Sequence, residues 1–135
     1  MPGLFRALFY WGTIMITGYQ DFYYNVKDMK RAVKFYKHAL QMMVAGESDE
    51  YWTSMVIGDL RLGLHGTEGD AVPATIRNSH GQKQGGTLTL GSTDINEDRK
   101  RIENAGGKIL GEVKQNWGHM VVFEDLDGNV LKLMK

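Results

Sequence analysis

The side chains of this 135-residue chain best suited to chemistry are Asp21, His65 and Lys132, and each stands in a run where residue types alternate. A carboxylate and an imidazole make two ligands for a divalent ion, one short of the three that a catalytic zinc usually has. Without an ion, either is a candidate general base, and Lys132 is a fixed positive charge for stabilising an anion. Arg61, His65 and Lys132 together lean towards an anionic ligand, and His119 adds a second imidazole near the C-terminal end. Tyr23, Trp52 and Trp117 offer flat surfaces on which a planar ligand can stack.

These residues need strands to hold them, and the chain supplies the patterns. Residues 19–26 are aromatic and β-branched and alternate, with Phe22, Tyr24 and Val26 on one face and Asp21, Tyr23 and Asn25 on the other. Asp28 is a helix N-cap, and Met29, Ala32, Val33, Tyr36, Ala39 and Leu40 follow at amphipathic spacing, predicting a helix from 29 to 40. Strands are expected at 42–47, 51–57 and 60–65, the last two joined by Gly58-Asp59. A polar, glycine-containing segment, 66–86, carrying Arg77 and His80, reads as a linker between halves, with a lid as the alternative.

After that segment the order of elements begins again. A strand at 87–91 leads to Asp94 and Glu97, an Asp-x-x-Glu capping pattern, and a helix runs to Ala105 before Gly106-Gly107. Strands at 109–114, 120–124 and 130–134 follow, the last entered through Asp125-Leu126-Asp127-Gly128-Asn129, where Gly128-Asn129 are expected to supply positive φ. The two capping aspartates stand 66 residues apart. The expected fold is therefore α+β, a βαβββ module used twice, with module 1 at 19–65 and module 2 at 87–135. If each helix covers one face of its sheet, Phe22/Tyr24/Val26, Leu60/Leu62/Leu64, Leu88/Leu90 and Leu131/Leu133 lie beneath the helices. Asp21/Tyr23/Asn25, Arg61/Gly63/His65, Thr87/Thr89 and Val130/Lys132/Met134 then line the opposite face, which becomes a cleft if the two sheets curl together.

This layout resembles the vicinal oxygen chelate superfamily, which includes glyoxalase I, the bleomycin-resistance proteins, methylmalonyl-CoA epimerase and the extradiol dioxygenases. The matching residues are Val26-Lys27-Asp28 leading to Phe35-Tyr36, Trp117-Gly118, and Asp125-Leu126-Asp127-Gly128-Asn129. The family's metalloenzymes hold a divalent ion with histidine and glutamate from four strands. Carried over by strand register, those positions hold Asp21, Gly63, Thr87 and Lys132, of which Asp21 alone is a good ligand. The resemblance thus implies a member without a tightly bound metal, with nickel, zinc, manganese or iron as the alternative. It also implies a homodimer. If the four positions converge, an Asp21–Lys132 salt bridge is expected to replace the ion.

Composition narrows the function classes. Sixteen basic and sixteen acidic residues cancel, leaving no electrostatic footprint for nucleic acid or an anionic membrane, and the absence of cysteine excludes disulfides and thiolate metal sites. The apolar stretch 4–16 is too short to span a bilayer, Arg6 interrupts it, and no small-residue cleavage site follows, so residues 1–18 read as an extension of a cytoplasmic protein. Leu4, Leu8 and Trp11 have helical spacing suited to docking, and Met15 offers a second start site. The leading expectation is a metal-independent protein that binds a small organic ligand, with a cleft formed by Asp21, Tyr23, Asn25, Trp52, Arg61, Gly63, His65, Thr87, Thr89, Trp117, His119 and Lys132. Its anionic preference counts against bleomycin, which is cationic. The alternative is a glyoxalase-type lyase or isomerase using Asp21 or His65 as base; an extradiol dioxygenase lacks its iron ligands, and an interaction module with an incidental cleft is the third reading.

Overall fold

The computed structural model describes residues 19, 21–67 and 87–135. The expectations for the apolar extension and for Arg77 and His80 fall outside these residues. In chain order the elements are β1 (Tyr23–Val26), α1 (Met29–His38), β2 (Met43–Ser48), β3 (Trp52–Ile57), β4 (Leu60–Gly66), β5 (Leu88–Gly91), α2 (Ile95–Asn104), β6 (Lys108–Gln115), β7 (Gly118–Glu124) and β8 (Val130–Met134). They form two four-stranded sheets, ordered β1-β4-β3-β2 and β5-β8-β7-β6. In each sheet the first strand runs parallel to the last of its module and the remaining pairs are antiparallel. This is an α+β fold of two βαβββ modules.

Local chemistry sets both helices. Asp28 accepts a hydrogen bond from the Arg31 amide (3.1 Å) and Asp94 from the Glu97 amide (3.2 Å), satisfying a donor that the first turn leaves unpaired. At the other end of α1, Gln41 adopts φ 59° and the Met42 amide reaches back to the Tyr36 carbonyl, a left-handed closure built without glycine. Gly106, at φ 100°, performs the same task for α2, with the Gly107 amide on the Ile102 carbonyl. The buried face of α1 is Met29, Ala32, Phe35 and Tyr36. Phe35 belongs to it because a wide helical stripe at 29, 32, 35, 36 and 39 covers three strands at once.

Under the helices lie Tyr24, Val26, Leu62, Leu64, Leu131 and Leu133, with Phe22, Leu60, Leu88 and Leu90 partly buried against them, as the alternation predicts. The two modules share this core. They are also clasped by polar contacts that sequence reading did not anticipate. The Tyr24 hydroxyl donates to the Val130 carbonyl (3.0 Å) and accepts from the Leu88 amide (3.3 Å). The Asp125-to-Asn129 turn reaches across to module 1. Tyr36 donates to Asp125 Oδ2 (2.7 Å), Asn129 Nδ2 to the Asn25 carbonyl (3.0 Å), and the Lys27 amide and Arg31 guanidinium both donate to Asp127 Oδ1 (3.1 Å each). Only Gly128 in this turn has positive φ (84°), so the expectation for Asn129 is corrected. Asn129 is present for its side chain, which bonds both Asp125 and the other module.

Candidate ligand pocket

The face of the first sheet away from α1 is built by register. Tyr23 lies opposite Gly63 and Asn25 opposite His65; across β3, Ser54 faces Gly63 and Trp52 faces His65. These side chains therefore form two neighbouring rows, with Arg61 and Asp21 continuing the pattern at one end. Tyr23, Trp52 and His65 make an aromatic cluster, with ring centroids 5.6 Å apart for Tyr23–Trp52 and for Tyr23–His65, both edge to face. His65 Nδ1 lies 2.9 Å from Asn25 Oδ1, a contact that fixes the ring.

Beside this cluster is a pocket of about 220 Å³ lined by Asp21, Trp52, Ser54, Arg61 and Gly63. Its floor is Gly63, and its wall is the Trp52 indole, held by a hydrogen bond from Nε1 to Ser54 Oγ (3.1 Å). The indole lies so close over Gly63 that a Cβ there would overlap Cη2 and Cζ2 of Trp52 and stand 3.0 Å from Cβ of Tyr23. Trp52 thus fills the space into which any side chain at position 63 would project. Gly63→Ala is expected to lose about 1–3 kcal/mol by overpacking. In a Trp52→Ala background most of that loss should vanish, and a double-mutant cycle by urea unfolding reads the coupling; additive losses would mean that the indole does not occupy this space.

The second sheet contributes less than expected. Thr87 is exposed just before β5, and Thr89 lies beside Lys132, whose other neighbour is Val122. The row on one side of them, Met120 with Val113 and Met134, is aliphatic, and the row on the other side, Val130 with Glu124 and Lys108, carries two charges, so this face is mixed. Every described residue lining the Asp21 pocket comes from the first module, and Lys132 is not among them. The expected Asp21–Lys132 ion pair does not form: the ion pairs among the described residues join other groups. Asp21 just precedes β1 of the first sheet, and Lys132 lies in β8 of the second.

Two further placements change. His119 lies on the helix side of β7, in step with Val121 and Phe123, and its Nε2 is 2.9 Å from Glu112 Oε1. Glu112 in turn meets Arg99 of α2 (3.1 Å), and these two partners hold its carboxyl below the usual carboxylate range. The strand starts at Gly118, two residues earlier than alternation alone suggested, and strand parity then sends His119 away from the pocket face. Trp117 is in the β6–β7 turn and 61 % exposed, apart from the Trp52 pocket. Ser54 was missed by sequence reading, although its position two residues from Trp52 on an alternating strand was the available signal.

The described residues contain no group of three histidine, aspartate or glutamate side chains placed to share one metal ion. Residues 17–133 match the model of the Glyoxalase/Bleomycin resistance protein/Dioxygenase superfamily. The chain belongs to this superfamily. Solved structures of similar fold agree. A fosfomycin resistance protein, FosX, from Listeria monocytogenes, complexed with Mn(II) and dihydroxypropylphosphonic acid, superposes with a TM-score of 0.66 at 20% identity over 89% of this chain and 90% of that one. Lactoylglutathione lyase from Agrobacterium tumefaciens gives 0.61 at 16% identity over 90% and 95%. A glyoxylase/bleomycin resistance protein/dioxygenase domain from Frankia sp. gives 0.64 at 19% over 88% and 91%. At these identities the likeness establishes the fold. No curated protein matches the chain in sequence.

Proposed function

We propose that this member of the superfamily is a metal-independent binding protein that takes a small organic ligand into the pocket on its first sheet. The observation that carries the reading is the pair Gly63 and Trp52. At the register position where the superfamily's metalloenzymes place a ligand, this chain has no side chain, and an indole covers the position. The other three positions hold one carboxylate, a threonine and a lysine, and a protonated lysine repels a cation. A divalent ion does not fit this donor set. The pocket's remaining lining, a guanidinium, a carboxylate, a hydroxyl and an aromatic wall, suits an organic molecule held by hydrogen bonds and apolar contact. A homodimer, as in related proteins, is compatible with this reading.

The test is metal content of the purified, untagged protein by mass spectrometry, followed by thermal melts with added nickel, zinc, manganese and iron. Substoichiometric metal and no metal-specific shift in Tm are expected. Stoichiometric metal that disappears in Asp21→Ala or His65→Ala would overturn the reading.

One observation favours an enzymatic second reading. The Asn25 bond fixes the exposed His65 ring on the same face as Arg61, which pairs a candidate base with a cation able to stabilise an enolate-like anion. Loss of α-deuterium exchange from a carbonyl substrate on His65→Gln, with ligand affinity retained, is the expected signature of this alternative.

A further inference from the structure

Asp21 and Arg61 stand abreast. The parallel register that pairs Tyr23 with Gly63, continued two residues back, sets them on adjacent chain segments at one end of the pocket face, and the Gly63 amide bonded to the Phe22 carbonyl (2.8 Å) carries the pairing that far. Opposite charges so placed ordinarily close on each other. Here they do not: among the described residues neither the Asp21 carboxylate nor the Arg61 guanidinium makes an ion pair or a side-chain hydrogen bond, yet both line the same pocket. Several other charged groups of the fold do find partners. In α2, Arg99, Lys100 and Arg101 each have an acidic partner, and Arg31 of α1 has Asp127.

The rest of the pocket is built to hold something between those two charges. Ser54 Oγ already accepts from Trp52 Nε1, so its own proton is left to donate. The Tyr19 hydroxyl donates to the Arg61 carbonyl (3.1 Å) and ties that residue's backbone at the mouth. Trp52 gives an apolar wall, and Gly63 a floor without a side chain. The volume, about 220 Å³, equals the liquid share of about seven waters, at roughly 30 Å³ each. A ligand of comparable size, with a cationic group for Asp21, an anionic group for the guanidinium and a short hydrocarbon body for the indole, satisfies every group that lines the pocket.

We infer that the pocket recognises a small zwitterion of the amino-acid class, its ammonium on Asp21 and its carboxylate, or an equivalent oxyanion, on Arg61 and Ser54. The inference rests on the reading of this pocket as a ligand site and adds the chemistry of the ligand. A carboxylate on a guanidinium is the geometry that arginine binds with two parallel hydrogen bonds. The carboxylate of Asp21 selects against simple anions, because an anion brought to Arg61 alone leaves that like charge uncompensated beside it.

The probes are glycine, β-alanine, γ-aminobutyrate and δ-aminovalerate, which step the distance between the two charges, with butyrate and n-butylamine as singly charged counterparts and butyramide as a neutral one. Binding is read by titration calorimetry and by the assigned indole N–H resonance of Trp52. At least one amino acid of the series is expected to bind tenfold or more tightly than all three controls. Asp21→Asn should remove its advantage over butyrate, and Arg61→Gln its advantage over n-butylamine, while the indole resonance of each unliganded variant confirms that the pocket is intact. Equal binding of a singly charged or neutral control, or affinities unmoved by both variants, overturns the zwitterion assignment and leaves the pocket as a ligand site. No response of the Trp52 resonance to any probe overturns both.

Discussion

Asp125→Ala is expected to cost about 3–5 kcal/mol in urea unfolding, the range for deleting one partner from a buried, hydrogen-bonded polar centre. The Asp125 side chain is only 5 % exposed and accepts four hydrogen bonds: the Asp127 and Asn129 amides on Oδ1, and the Tyr36 hydroxyl and Asn129 Nδ2 on Oδ2. Deleting it orphans a fully buried phenol and the donors of the turn that clasps module 1. Tyr36→Phe removes a single donor and should cost about 1–3 kcal/mol. The double variant should lose less than the sum, since both changes break one contact; strictly additive losses would show that the two modules are held elsewhere.

The same residue sets a pH dependence whose sign is unusual for a carboxylate. Burial raises the Asp125 carboxyl above its ordinary value, outweighing the hydrogen bonds from Asn129, Tyr36 and Asp127 that pull it down. Burial and the neighbouring Asp125 likewise push the Tyr36 hydroxyl well up. The folded chain therefore retains the Asp125 proton where the unfolded chain has released it. Its contribution to stability is fully present below the unfolded pKa and declines as pH rises through the folded one. Relative to Asp125→Asn, which does not titrate, wild type should have its largest advantage at the acid end of a series from about pH 3 to 7. An advantage that grows towards neutrality would contradict the burial argument.

Gly66→Ala is expected to cost about 3 kcal/mol, the upper end of overpacking. A Cβ at this buried position would overlap the Glu50 carbonyl oxygen, with the Glu50 carbon at 3.1 Å and the Met29 methyl at 3.5 Å. A flexible side chain can step aside, but Glu50 meets the new atom with its backbone. The Gly66 amide also donates to the Tyr51 carbonyl (2.9 Å), so the two chain segments cannot part without losing that bond. The control is Gly111→Ala, where a Cβ meets nothing within 4 Å; it should change the urea midpoint by much less. Similar losses at both sites would mean that strand glycines here matter for flexibility and not for close approach.

Much of this architecture was legible in the sequence because it is local. Asp28 and Asp94 announce helices through bonds to amides three residues on, and strand alternation places Leu62, Leu64, Leu131 and Leu133 beneath those helices. Repetition of cap, helix and three strands is a property of order, and it led to the correct α+β fold of two βαβββ modules. On the first sheet the same parity brought Tyr23, Asn25, Trp52, Arg61, Gly63 and His65 to one face.

What only the tertiary structure decided depends on residues far apart in the chain. A strand boundary displaced by two residues is invisible to composition, yet parity along β7 turns His119 towards Glu112 and α2. The relation between the sheets cannot be read from either one, which is why Asp21 and Lys132 share an expected site but no ion pair. Gly66 looked like the start of a linker because nothing local shows that the Glu50 carbonyl lies against it. Asp125, Asp127 and Asn129 looked like a hairpin turn because local chemistry explains a turn, whereas their partners Tyr36, Lys27, Arg31 and Asn25 stand roughly a hundred residues earlier. Periodicity determines which face a side chain takes; packing of one module on the other determines what that face meets.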